Sequence, residues 1–453
     1  MLRFLILALL AWPFAGAAQA AAPAAFDPAA AADAWLATLG PEATARSNAY
    51  FEGGYWIGYA SAALTIAVSL LMMILGWAKG VRGWLEKTVK FYVLVAFGMG
   101  LFYILVSSVL TFPFTWWVSF AREHEFGLST QTFSEWLGEY LINFALSLVI
   151  GALFIAVLYL IVRAAKSAWW IWGAGVTMAF MIFVLAIAPV FVAPLFNTYT
   201  PMQEGPLRTS ILQMAQANGV PADNVYVFDV SRQSNRVTAN VSGMFGTTRI
   251  SLSDTLLERV SPEGVRAVMG HELGHYALQQ MASILLMLAA LIAFVYALTH
   301  LIFVRAVRNE RWGVRGVEDP AGLPLAFAIV TFLFALATPL NNNIIRYHEM
   351  QADLFGLNAA REPGGFAEAA VLLSEYRKMR PSPLEEWFFY DHPSGYTRIF
   401  TAMQWQAHEQ AAGRYPQRPA GPPPGWRPDF VVMREGAALP AATPEPSPAA
   451  PSN

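Results

Sequence analysis

Residues 271–304 read HELGHYALQQMASILLMLAALIAFVYALTHLIFV. The stretch opens with two histidines four positions apart and a glutamate between them, His271-Glu272-Leu273-Gly274-His275. Within two helical turns it becomes an apolar run, residues 281–304, longer than the roughly 20 residues a helix needs to cross a bilayer. Chemistry-bearing side chains therefore run straight into a membrane span, which predicts a multispanning protein with its reactive site at one membrane face.

The rest of the chain agrees. It has 453 residues, 56% hydrophobic and 13% charged, with a mean hydropathy of +0.42. Soluble domains carry roughly twice that charged fraction. Residues 55–77, 91–112, 141–162, 168–196 and 323–340 are further apolar runs, so six spans are expected. Two polar stretches, 197–280 and 341–414, form two parts of one catalytic domain. A net charge of −2 gives no sign of a nucleic-acid partner. Cysteine is absent, which excludes disulfides, thiol catalysis and cysteine-bound metal.

At the start, Arg3, the apolar residues 4–14 and Ala18-Gln19-Ala20 read as a secretory signal peptide, residues 1–20. An N-terminal segment, 21–54, precedes the spans at 55–196 and 281–340. Residues 415–453 are rich in Pro, Ala and Gly and are expected to be a disordered tail. In the first polar stretch the pattern predicts a helix over 206–218 and strands over 224–230 and 247–252. It also predicts a helix capped by Ser261 with Pro262 in its first turn, which carries the His271–His275 motif.

Charge sets the orientation. The loops holding Lys79, Arg82, Lys87 and Lys90, then Arg163 and Lys166, then Arg305, Arg308, Arg311 and Arg315 are basic. The loop with Glu123, Glu125, Glu135 and Glu139 is acidic. Six spans put the three basic loops on one side, the cytoplasmic one by the positive-inside rule. A bacterial inner membrane with the catalytic domain in the periplasm is then expected.

On a helix, His271 and His275 share a face and can bind one ion, with Glu272 placed to take a proton from an attacking water. Zinc prefers a third protein ligand. His348, Glu349 and Asp353 follow the last span, and two consecutive antiparallel spans bring that point back to the motif helix. Glu349 is the expected ligand and His348, turned about 100° away on a helix, its rival. The donor set favours Zn2+, one per chain.

His271-Glu272-Leu273-Gly274-His275 followed by Glu349-Met350-Gln351-Ala352-Asp353 resembles the integral-membrane CAAX prenyl protease type 1 family of gluzincin metallopeptidases. So do Val192-Ala193-Pro194-Leu195-Phe196 before Thr200-Pro201, Arg249-Ile250-Ser251-Leu252, Asp254-Thr255-Leu256-Leu257, and His392-Pro393 with Arg398. The resemblance implies a mainly α-helical transmembrane bundle enclosing a cavity, closed at one end by a zincin-like α+β catalytic domain. It implies His271, His275 and Glu349 as zinc ligands, Glu272 as base, and Asp353 as a carboxylate orienting a ligand histidine. It also implies His392 and Arg398 as contacts to the substrate carbonyl and its oxyanion. The segment Thr238-Ala239-Asn240-Val241 corresponds to a substrate-binding edge strand, with Thr238 where the family usually has asparagine.

Three functions follow. The first is a zinc metalloendopeptidase acting on membrane-associated or misfolded polypeptides. The second is a protease for prenylated CAAX tails. The third is an inactive membrane scaffold, disfavoured by the intact ligands and base. The expected partners are a polypeptide substrate and the lipid bilayer; oligomeric state is open.

Overall fold

A computed structural model describes residues 27–243 and 248–430. The expected signal peptide lies outside the described residues, as does the tail beyond 430.

Five helical stretches are long and apolar enough to cross a membrane. They are Gly40–Ile74, Tyr92–Glu125, Phe133–Leu195, Gln280–Ala306 and Pro320–Ala360. The third is a hairpin. Lys166, at φ 51, turns the chain between helices Phe133–Ala165 and Trp169–Ile187. Phe154 stacks on Phe180 across it, with ring centroids 4.6 Å apart. The six apolar runs are thus all helical, two of them joined. Their shared core includes Met72, Met99, Tyr103, Ile155, Tyr159 and Phe303. Only 17% to 33% of each stretch's most apolar window is buried, while Trp172, Phe183, Leu286 and Phe294 lie exposed. Such area is tolerable only against lipid or in a cavity. The chain is a multi-pass membrane protein.

Two of these helices outrun their apolar segments. The first, α1 (Gly40–Ile74), starts fifteen residues before the apolar run at 55, since its polar end finds partners. Tyr50 donates to Glu123 at 2.7 Å and Glu52 pairs with Lys378 at 2.6 Å. Downstream, α2 (Pro262–Ala277) carries the histidine motif, with Ser261 accepting from Gly264 N–H as its cap. It is followed by α3 (Gln280–Ala306) and by α4 (Leu323–Ala360), which continues twenty residues past the apolar run ending at 340.

The polar stretch after the hairpin forms a small mixed sheet of β1 (Tyr199–Pro201), β2 (Val225–Phe228), β3 (Ala239–Ser242) and β4 (Arg249–Ser253), in the order β1-β2-β4-β3. β2 and β4 are parallel and β3 pairs antiparallel with β4, leaving β3 at an edge. Behind the sheet, Ile250, Leu252, Leu256, Met269, Leu273, Leu357 and Ile399 make the catalytic-domain core.

Residues 415–430 depart from the disordered tail that composition suggests. Trp35 donates through Nε1 to the Ala420 carbonyl at 3.3 Å and meets Trp426 edge-on at 5.0 Å. Phe430 is buried, and Arg259 holds the Asp429 carbonyl at 2.8 Å. Two aromatic anchors seated on a preformed surface hold a segment whose own periodicity is too weak to reveal it.

The basic loops meet at one end of the bundle. Arg82 pairs with Asp319 at 2.6 Å, and Arg163 lies 4.5 Å over the Tyr92 ring. The acidic loop lies at the other end, where Glu123 pairs with Arg236 of the catalytic domain at 2.7 Å.

Candidate active site

Small residues make the site possible. α2 crosses α4 where Gly270 and Gly274 meet Ala352 and Gly356. A Cβ on Gly356 would fall 2.7 Å from the His271 nitrogen, and one on Gly270 would fall 2.9 Å from the Gly356 carbonyl. Neither position accommodates a side chain without moving backbone. This near backbone contact sets Glu349 and Asp353, one turn apart on α4, against the histidines of α2.

Among the described residues, His271, His275 and Glu349 offer donor atoms all within 4.8 Å of one another. Nε2 of His271 lies 3.2 Å from Glu349 Oε2, and Nε2 of His275 lies 3.6 Å from Oε1. The two Nε2 atoms are 3.1 Å apart. Their other nitrogens are occupied. His271 Nδ1 donates to Asp353 Oδ1 at 2.7 Å, and His275 Nδ1 to Gln280 Oε1 at 2.7 Å. A carboxylate can only accept, so the His271 proton sits on Nδ1. The Gln280 amide nitrogen donates to the His348 carbonyl at 3.0 Å, which turns its oxygen to His275 and fixes that tautomer too. Both Nε2 lone pairs therefore converge on one point, beside a buried Glu349 Oε2 that accepts no hydrogen bond. Such an arrangement is repulsive unless a cation stands between them.

Electrostatics points the same way. Burial lowers the His271 pKa, but the Asp353 and Glu349 carboxylates beside it outweigh that and hold the imidazole up at about 9. A proton there meets the same demand for positive charge that a metal would, and metal binding displaces it. Burial and the charge of His271 lower His275. Burial pushes Glu272 up to about 7. Its side chain lines a cavity of about 540 Å³ together with His271, His392 and Arg398.

His348, the rival ligand, is directed elsewhere, with Nε2 3.2 Å from Ser283 Oγ. His392 reaches the site, its Nε2 3.2 Å from Glu349 Oε2 and its Nδ1 bonded to Asp391 at 2.8 Å. Arg398 stands differently from the expected oxyanion contact. Its Nε and Nη2 both donate to Asp353, at 3.0 and 2.6 Å, so two of its donor groups are committed to the carboxylate behind His271. Fork geometry matches guanidinium to carboxylate, and a fully buried Asp353 needs that partner. Of the edge strand, Thr238 and Ala239 line the active-site cavity; Asn240 and Val241 continue the strand away from it.

A match to the model of the CAAX prenyl protease N-terminal, five membrane helices, covers residues 28–198. Peptidase family M48 matches residues 201–406. The uncharacterized metalloprotease YhfN of Bacillus subtilis is 30% identical over 335 residues, spanning 73% of this chain and 78% of that protein. The chain belongs to peptidase family M48. CAAX prenyl protease 1 of Saccharomyces cerevisiae is 26% identical, over 67% of this chain and 71% of its own. The crystal structure of S. mikatae Ste24p superposes with a TM-score of 0.64 at 20% identity, covering 82% of this chain and 98% of that one, and shows the shared fold. As an M48 protein this chain is a membrane metalloprotease with a helical chamber.

One residue that bears on this candidate site was not legible in the sequence. Gln280 is buried and is the link between His275 and the His348 carbonyl. Its place depends on Gln279, whose left-handed φ of 52 ends one helix and starts the next. Only the turn between motif and span hinted at it. Gln280→Leu is expected to weaken metal binding about 10- to 100-fold, the usual cost of losing the partner that orients a histidine at a metal site. Competition with a chelator of known affinity measures this, with Gln280→Glu keeping tighter binding than Gln280→Leu.

Proposed function

We propose that this membrane metalloprotease is a zinc endopeptidase for membrane-associated or misfolded polypeptides. His271, His275 and Glu349 hold the metal and Glu272 is the general base. The reading is carried by the two fixed imidazole lone pairs converging beside the unsatisfied Glu349 oxygen. Held by these three residues, a zinc ion would supply Lewis-acid chemistry at the scissile carbonyl and its attacking water. Glu272 takes the proton of the attacking water and delivers it to the departing amine. Asp353, clamped by Arg398, orients the His271 ring. His392 faces the cavity beside Glu349, placed to contact the developing oxyanion. The outer edge of β3 offers backbone groups to an extended peptide, with Thr238 and Ala239 next to the cavity.

A second reading is supported by the relatives named CAAX prenyl protease 1 and by the larger cavity, about 860 Å³, whose wall includes Tyr55, Tyr59, Phe327 and Phe334. A prenyl group would fit such a lining. The orientation argues for the first reading. Three basic loops at one end, with the catalytic domain at the other, support a domain that faces away from the cytoplasm of a bacterial inner membrane.

The absence of cysteine makes both points testable. Ala412→Cys in whole cells with a permeable outer membrane should react with a membrane-impermeant maleimide, and Arg308→Cys should not. Labelling of Arg308→Cys alone would reverse the orientation. Purified enzyme should cut an unfolded polypeptide in a zinc-dependent manner. Exclusive cleavage of a prenylated peptide over its unprenylated match would establish the second reading instead.

A further inference from the structure

The cavity at the metal site and the larger chamber in the bundle share three wall residues, Arg236, Tyr376 and Arg377. They line the boundary, or neck, between the two spaces. A peptide reaching from the chamber to His271 and Glu272 would pass along it.

The cations around this neck are committed, with one exception. Arg236 pairs with Glu123 at 2.7 Å and donates to Tyr50 Oη at 2.6 Å. Arg398 is held by Asp353. Lys378 is held by Glu52 and Glu385. Arg122 lies 4.1 Å over the Tyr50 ring. Arg377 makes no hydrogen bond and no ion pair within 4 Å among the described residues. It senses Asp391 and Tyr376 through space. Asp391 is itself bonded to His392 at 2.8 Å. A half-buried guanidinium at this boundary, with no hydrogen bond or close ion pair among the described residues and Asp391 only at a distance, carries a desolvation cost that a transient anionic partner would offset. Its planar fork matches a carboxylate and can bind it through two parallel N–H donors.

We propose that Arg377 recognises a carboxylate of the peptide substrate and thereby sets which segment reaches the metal site. The inference rests on the peptidase reading above. A peptide offers two sources of that group, its free C-terminus and an Asp or Glu side chain. Both would meet the same guanidinium at the neck.

Binding tests this without turnover. The full-length Glu272→Gln protein, loaded with zinc, is titrated with a labelled peptide carrying a free C-terminus and one Glu. It is then titrated with the C-terminal amide, with the Glu→Gln peptide, and with both changes. Replacing the recognised carboxylate should weaken binding about tenfold to a hundredfold, as expected for one charge-assisted pair. Adding Arg377→Met should remove that difference while leaving the affinity of the fully neutral peptide unchanged. Which arm shows the loss identifies the source, terminal or side-chain. Arg377→Glu should favour the neutral peptide. Equal binding of all four peptides would overturn the proposal. So would an equal loss for all four in Arg377→Met with zinc content retained. In the parent enzyme, carboxylate-dependent binding without any cleavage would count against the peptidase reading and leave the role of Arg377 standing.

Discussion

Glu272→Gln is expected to keep its zinc and to lose turnover by about a hundredfold to ten-thousandfold, the range for removal of a general base. The amide keeps nearly the shape of the carboxylate, so the fold and the His271–Glu349 pocket should be undisturbed. It can still hydrogen-bond the attacking water but cannot accept its proton. Because base action is felt in the transition state, the Michaelis constant should change little. Metal analysis and steady-state kinetics on the same preparation check both halves. Near-normal turnover would remove Glu272 from the mechanism, and loss of zinc would make it a positioning residue.

Glu349→Ala is expected to lower bound zinc from about one ion per chain to near zero, because two imidazoles alone make an incomplete site. Activity should fall with it. His348→Ala should retain the ion, since His348 faces Ser283 and lies outside the donor group. Elemental analysis of both variants after dialysis decides the matter. The opposite pattern would transfer the ligand role to His348. Asp353→Asn should fall between these extremes, weakening the metal by loosening His271 and freeing Arg398.

Much of this was legible in the sequence for definite reasons. Lipid forces long apolar runs, so the spans announce themselves. An i, i+4 histidine pair with a glutamate between is rare and has a mechanism, so the motif stands out. The helix over residues 262–277 was legible from its Ser-Pro start. Less visible were features without local periodicity. The helix ends at Gly40 and Ala360 lie well outside the apolar runs, so hydropathy does not mark them. The segment 415–430 is ordered by two aromatic side chains and a few backbone bonds.

The sequence by itself determined that this chain crosses a membrane repeatedly and which residue types could hold a metal, because burial in lipid and metal affinity are properties of local composition. Only the tertiary structure decided how those residues face each other. The Gly270–Gly356 crossing brings α4 to α2. Gln280 and Asp353 then fix both imidazole tautomers, Arg398 turns toward Asp353, and Arg377 stands between the two cavities without a hydrogen bond or close ion pair among the described residues. These are relations between groups far apart in the chain. Their direction depends on backbone approach and competing partners, which no spacing along one strand of sequence encodes.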